Sequence, residues 1–416
     1  MQTTASLSYD PIDLSRLSFW DLPFEEREAR FAELRRDRPV SYHRPIEVDG
    51  DPDVAGYHGF WALAGHREIT EVSHNPELFC SSEGVMIEDL PPEHRAAVAS
   101  IIEMDAPRHS HVRRIVTSAF SPKTVRRLEE LISERAAEVV AALVAEGEGD
   151  FARYAGMLPA QTIADIMGVP DSMLEQVMHA VDGIVGWLDP EVQAGRDPVQ
   201  TRYESIVSIS QASAELAAQR RRNPSDDVVT ALVSQKVDGA YLTDAEIGAF
   251  FVLLAVAGSD TTKQATAFGA KALHDHPEQR DLLLTDLPGH IGTAAEEMVR
   301  WASPVMTFRR TATQDTELGG RSIKAGEKLV LYYCSGNRDE SVFDRPDRFD
   351  VTRNPNPHVG FGGRGPHYCL GTFLARAQLR AFFTELLQRA PGISLGEPAY
   401  LGGYFMRAIT RMSYRA

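Results

Sequence analysis

The spacing of apolar and polar positions changes character several times along the chain. Between Tyr42 and Leu63 they fall into short β-like pieces broken by Gly and Pro. From about Pro107 to Lys271 the period becomes helical, most clearly over Thr124 to Glu146, Leu158 to Met167, Asp171 to Leu188 and Tyr203 to Arg221. Short strands return between Thr307 and Tyr333, as Arg309 to Thr313, Ser322-Ile323 and Lys328 to Tyr333. Gly319-Gly320 and Gly326 mark the turns. Leu370 to Arg389 is helical again. The pattern predicts a mainly α fold with a minor β portion, in β-rich stretches at about 39–65 and 307–333. No repeat or linker divides it, so 1–416 reads as one domain, with 1–38 an N-terminal extension and first helix.

One helix can be bounded closely. Thr243 and Glu246 form a Thr-x-x-Glu capping box ahead of an apolar run, and Pro277 stops the helix after His276. That is about 33 residues, or about 50 Å at ~1.5 Å per residue. A helix so long and so apolar has to cross the interior.

Composition narrows the classes. Of 416 residues 43% are apolar and 25% charged, as in ordinary globular proteins, and the net charge of -16 argues against nucleic acid or anionic membrane as a partner. Met1 to Asp13 shows neither a signal peptide nor a membrane anchor, and Ile247 to Ser259 is too short to span a bilayer. Three cysteines, Cys80, Cys334 and Cys369, make no disulfide framework and no C-x-x-C pair, which suits a cytoplasmic protein.

Three constellations carry candidate chemistry. The long helix holds Ala257-Gly258-Ser259-Asp260-Thr261-Thr262 at its centre, where mediocre helix formers conflict with the apolar run. Gly258 would let a flat cofactor approach the backbone, and Asp260 and Thr261 would offer an acid and a hydroxyl beside it. The plain alternative is a helix kink with its polar groups satisfied locally. Glu297 and Arg300, at i and i+3, can pair on one helix face, and taken alone they are a surface ion pair of small worth. The third is Phe361-Gly-Gly-Arg-Gly-Pro-His-Tyr-Cys369-Leu-Gly371, a preset tight loop with a helix directly after it. A thiol at a helix N-terminus is expected to have a lowered pKa and to make a metal ligand. Gly365 and Gly371 would clear space for a large planar ligand. Cys80 and Cys334 read as buried, inert thiols.

This loop resembles the haem-binding loop of the cytochrome P450 family, Phe-x-x-Gly-x-His/Arg-x-Cys-x-Gly, through Gly365, His367, Cys369 and Gly371. The chain is similar to that family also at Glu297-x-x-Arg300, at Ala257 to Thr261 and at Pro346 to Phe349, all in the family's order. One departure stands out: Phe361 lies eight residues before Cys369 where the commonest family spacing is seven. A Phe-Gly-Gly form of this kind occurs in actinobacterial members that hydroxylate sterols and branched lipids, and Arg353 to His358 point the same way.

The resemblance implies a long central helix crossing over haem b, with Cys369 as axial iron ligand. It implies a monooxygenase that inserts one atom of O2 into a C–H bond of a lipophilic substrate such as a steroid, terpenoid or fatty chain. Asp260 and Thr261 would deliver protons, and Glu297 and Arg300 would be structural. His109, Arg113, Arg310 and His367 would clamp the haem carboxylates, with Phe361, Gly365, Ala257 and Gly258 against the cofactor. The implied substrate wall comprises Met86, Val185, Trp187, Leu254, Val305, Met306, Phe308 and Phe405, each of which is also readable as plain core. His109 and His111 together could instead be a His-x-His metal site. No flavin or dinucleotide fingerprint occurs, so electrons would come from a ferredoxin-type redox partner with its reductase. The basic set Arg113, Arg114, Lys123, Arg126, Arg127, Arg364 and Arg376 would receive it, unless it is simply a solvated helix face. A peroxygenase and a non-catalytic haem-thiolate sensor are the alternative readings.

Overall fold

The computed structural model describes residues 8–47, 58–89, 100–187 and 189–416. Part of the first β-like stretch and Leu188 lie outside these. The principal helices are α1 (Phe24–Asp37), α2 (His66–His74), α3 (Arg108–Thr117), α4 (Pro122–Glu146), α5 (Phe151–Met167), α6 (Asp171–Val185), α7 (Pro198–Arg222), α8 (Asp244–Asp275), α9 (Leu287–Ala302) and α10 (Thr372–Arg389).

Local chemistry accounts for most boundaries. α8 starts at the expected capping box: the Thr243 hydroxyl accepts from Glu246 N at 3.2 Å, and Glu246 Oε2 accepts from Thr243 N at 2.8 Å. It stops at His276, where Pro277 opens the next turn. By length and composition α8 would pass for a membrane span, but α5, α7, α9 and α10 pack around it. α7 begins five residues earlier than its apolar period suggested. Asp197 accepts from Gln200 N at 3.0 Å and Pro198 occupies the first helical position, two start signals outside the periodic stretch. α6 ends at Val185 with Gly186 as its cap. α10 starts at Thr372, so the cysteine loop is joined to it by a turn and does not run straight into the helix.

A five-stranded sheet lies beside the helices, in spatial order β1 (Val40–His43), β2 (Phe60–Leu63), β5 (Lys328–Tyr332), β4 (Thr307–Ala312) and β3 (Phe79–Cys80). β2 pairs parallel with β5, Trp61 opposite Leu329, and the other pairings are antiparallel. Segments almost 270 residues apart therefore share one sheet. Its two faces bury separate clusters, one around Trp20, Phe31 and Tyr332 and the other around Trp61, Leu331 and Tyr333. The largest core is helical, built where α4, α5, α8, α9 and α10 meet.

Candidate active site

Glu297 and Arg300 are both 0% exposed, so their surface reading fails. Arg300 makes a bidentate pair with Glu297, at 2.8 and 2.7 Å, and donates to the carbonyls of Asn337 (2.8 Å), Pro346 (2.9 Å) and Arg348 (3.2 Å). Glu297 accepts in addition from Asp350 N (2.9 Å), Asn356 Nδ2 (3.0 Å) and Arg353 Nε (3.2 Å). A pair whose remaining donors and acceptors are all met avoids the penalty of a bare buried charge. Its effect is to pin residues 337–356, the stretch that leads into the cysteine loop.

Glu296, one residue earlier, escaped the sequence reading. It accepts from His358 Nε2 at 3.0 Å and from Arg376 Nη2 at 2.8 Å, bracketing the loop from both ends. Those two donors outweigh burial and hold its carboxyl down to about 2. The Arg376 guanidinium also lies 4.9 Å from the Phe361 ring centroid. No motif in the sequence marks this residue, since it takes shape only when α9 and α10 pack together.

The loop itself closes on a hydrogen bond from Cys369 N to Phe361 O at 3.0 Å. Phe361 thus stays at the base of the loop despite the extra residue, and positive φ at Gly362, Arg364 and Gly365 absorbs the added length. Gly365 is required for a reason the sequence did not show. A Cβ there would sit 1.9 Å from the Ser73 carbonyl oxygen of α2, so the glycine serves packing against that helix as well as the turn. At Gly371 a Cβ would come no nearer than 4.0 Å, to Cys369 Sγ. Gly258 does line the cavity, but its missing Cβ would strike Ile163 of α5 at 2.6 Å. That glycine lets two helices approach as closely as it clears a ligand.

Cys369 opens onto an interior cavity bounded by α3, α8, α10, the loop and the start of β4. The cavity holds about 1570 Å³ of space free of atoms, part of it reaching solvent. Burial pushes the Cys369 thiol up, against the expectation of a lowered pKa; the Gly371 N–H, the Thr372 hydroxyl, Arg113 and Arg376 pull it back by less.

One side of the cavity is cationic. Arg113 donates to the Tyr368 carbonyl and Arg310 to the Arg309 carbonyl, and both line the cavity with His109 and His367. The two imidazoles lie 4.2 Å apart between centroids. Burial, reinforced by Arg310, His109 and Arg113, pushes His367 down to about 3, and burial with Arg113 lowers His109. Among the described residues none of the four is ion-paired with a carboxylate, and His109 Nε2 is buried without a partner. Such a set suits a ligand bearing carboxylates. Among the described residues no cluster of metal ligands forms; His111 turns outward to Asp238.

The rest of the lining is largely apolar: Val85, Ile101, Ile102, Phe250, Leu253, Leu254, Ala257, Val305 and Phe308 contribute to it, with Thr261 among them. Thr261 Oγ1 donates back to the Ala257 carbonyl at 2.7 Å. Asp260 does not line the cavity. Its carboxylate lies with Gln264, which donates to Oδ1 at 3.3 Å while accepting from Ile409 N at 2.7 Å. Asp260 Oδ2 has no partner, and burial raises the carboxyl pKa.

Five expected wall residues lie elsewhere. Val85, and not its neighbour Met86, is among the lining residues. Met306 packs in the core against the far face of the sheet. Phe405 stands behind Phe308, ring centroids 5.8 Å apart. Val185 joins the helical core, and Trp187 lies under the Arg202 guanidinium at 5.3 Å. Of the basic set, Arg113 and Arg376 are directed inward, whereas Arg114, Lys123, Arg126, Arg127 and Arg364 are exposed.

A helical fold that opens one cysteine onto an interior cavity lined by carboxylate-binding donors has the residues a haem-thiolate protein needs. Residues 93–390 match the family model described as Cytochrome P450. The chain belongs to the cytochrome P450 family, whose members carry a cysteine-ligated haem iron, and it is a monooxygenase. It is 42% identical over 403 residues to a methyl-branched lipid omega-hydroxylase of Mycobacterium tuberculosis, covering 96% of this chain and 93% of the relative. It is 38% identical to a steroid C26-monooxygenase of Rhodococcus jostii, covering 93% and 80%. Among solved structures, a Mycobacterium marinum cytochrome P450 in complex with pseudoionone superposes with a TM-score of 0.94 at 48% identity, covering 99% of this chain and 100% of that one.

Proposed function

We propose that this monooxygenase hydroxylates an unactivated C–H bond of a steroid, a terpenoid or a branched fatty chain, using electrons from a ferredoxin-type partner. The observation that carries the reading is the lining of the cavity: Cys369, a set of basic side chains without carboxylate partners, and otherwise mostly apolar residues. A ligand with few polar groups loses least on entering such a wall. The names of the two relatives, a branched-lipid and a steroid hydroxylase, support the same substrate class.

His109, Arg113, Arg310 and His367 would hold the two haem carboxylates, and Cys369 Sγ would ligate the iron. When bound, the haem would supply oxygen activation. Thr261 presents its hydroxyl at the wall, where it can hold a proton donor against the reacting oxygen. Asp260, kept protonated more readily by burial, resupplies it from Oδ2. Since Gln264 holds that carboxyl on the far side of α8, resupply needs a turn of the Asp260 side chain or a bridging water.

Arg114, Lys123, Arg126, Arg127 and Arg364, exposed on a chain of net charge -16, steer an acidic iron–sulfur protein. The protein works as a single domain in the cytoplasm. Optical titration of the haem-loaded enzyme with branched fatty acids, terpenoids and steroids tests the proposal, followed by mass spectrometry of turnover with NADPH, reductase and ferredoxin. A spectral shift with a hydroxylated product from at least one class is the expected result. Product formed with hydrogen peroxide but not with the electron-transfer proteins would overturn it.

A further inference from the structure

Behind the cavity wall, two buried cations share one carboxylate. Phe308 and Arg310 of β4 line the cavity, so the alternation of a strand turns Arg309, between them, to the other face. Arg309 stands opposite Val330 of β5, which makes Lys328 its diagonal neighbour on that face. The side chains of Arg309 and Lys328 are 8% and 4% exposed. Asp89 reaches both: Arg309 Nη1 donates to Oδ1 at 2.8 Å and Lys328 Nζ to Oδ2 at 2.6 Å. Burial raises the Asp89 carboxyl, but Lys328 and Arg309 together outweigh it and hold the group below its ordinary range. Among the described residues Lys328 has no other ion-pair partner.

The clasp fixes a segment that borders the cavity. Arg309 N donates to the Val85 carbonyl at 2.7 Å, and Arg309 Nη1 donates also to the Glu88 carbonyl at 3.3 Å. Val85 lines the cavity, and Ile87, two residues on, is buried in the cluster around Trp20 and Tyr332. Residues 85–89 therefore run from the cavity to the back of β4, tied to Arg309 at both ends. Glu88 adds another tie: its carboxylate accepts from the Tyr404 hydroxyl, and the Tyr404 carbonyl accepts from Thr307 Oγ1 at 3.1 Å. Asp89, Arg309 and Lys328 are not among the lining residues, so they act on a bound molecule through Val85 and Phe308.

We propose that Asp89 is a positioning residue for substrate fit: by bridging Arg309 and Lys328 it holds Val85 on β4 and sets how closely that wall meets a large ligand. A buried ion pair adds little stability by itself, but removing one partner leaves a bare charge in the interior. Without Asp89, Lys328 becomes such a charge. The least costly relief is water entering between residues 85–89 and β4, which carries Val85 off the strand that bears Phe308. The inference rests on the cavity as the ligand site proposed above, and not on which lipid occupies it.

Azole ligands test it, because their ring nitrogen binds haem iron whatever the natural substrate is. Imidazole fills little of the cavity, whereas clotrimazole is bulky enough to press on its wall. Both are titrated optically against haem-loaded wild type, Asp89→Asn and the double variant Asp89→Asn/Lys328→Met, and each protein is also unfolded in urea. Asp89→Asn is expected to weaken clotrimazole binding roughly fivefold or more, the effect of losing part of one apolar side chain's contact, and to leave imidazole within about twofold. The double variant removes the bare cation, so it is expected to regain stability while clotrimazole binding stays weak. Clotrimazole affinity that recovers with stability, equal weakening of both azoles, or no change in either overturns the proposal. If Asp89→Asn takes up no haem, the double variant decides by the same contrast between the two azoles. A wild type that shows no azole shift refutes the haem assignment, and this inference with it.

Discussion

Removing the charge of Glu296 should weaken the protein more than its place on a helix surface suggests. Glu296 spans the loop by binding His358 ahead of it and Arg376 behind it, with side-chain exposures of 24%, 2% and 25% respectively. Its carboxyl is held at about 2 against an ordinary 4.5. A shift of about 2.5 units corresponds to about 3 kcal/mol. With about a quarter of Glu296 and Arg376 open to solvent, screening should reduce that to roughly 2 kcal/mol. The sign follows from a depressed folded-state pKa: the stabilisation is complete above the unfolded value of about 4.5 and fades as pH falls towards about 2. Glu296→Gln should therefore lower the stability of the haem-loaded protein to urea by roughly 2 kcal/mol at neutral pH. The gap from wild type should narrow as pH drops below about 4.5. Haem transfer to an apo-acceptor should also be faster in the variant, since Arg376, stacked on Phe361, loses its anchor. A variant that unfolds with wild type at neutral pH, or whose deficit is the same at pH about 3.5 as at neutrality, would refute the account.

Four further outcomes follow from the site. Cys369→Ser should keep the fold by circular dichroism while losing the strongly red-shifted Soret band of the reduced CO complex. Gly365→Ala should cost roughly 3 kcal/mol or more, because φ is +73° and the Ser73 carbonyl leaves no room; a thermal midpoint within a degree or two of wild type would contradict this. Thr261→Ala should turn over NADPH with much more hydrogen peroxide and less product, measured by peroxide assay against substrate consumed, whereas unchanged coupling would remove Thr261 from proton delivery. Phe308→Ala should weaken substrate affinity in optical titration, while Met306→Ala, in the core beyond the sheet, should cost about 2–5 kcal/mol of stability with little effect on affinity.

Local sequence signals carried much of this structure. The capping box at Thr243, the stop at Pro277 and the preset loop before Cys369 act through neighbours in the chain, so they could be read from it directly. The same holds for the Glu297–Arg300 spacing, although not for its burial, which depends on six carbonyl, amide and guanidinium partners supplied by residues 337–356. The start of α7 was displaced because its first turn is set by Asp197 and Pro198 and not by apolar period.

Chemistry close along the chain is written in its residue order: a long apolar helix with polar groups at its middle, and one cysteine in a glycine loop. Tertiary structure alone decided how β2 comes to lie parallel with β5, a pairing between segments almost 270 residues apart that no local pattern records. It also decided which apolar residues became cavity wall and which became core: Phe308 lines the cavity, whereas Met306, two residues earlier, is buried in the core. The bracket that Glu296 forms across the loop has the same origin. Burial and long-range pairing are properties of the packed whole, and a one-dimensional pattern of residues does not contain them.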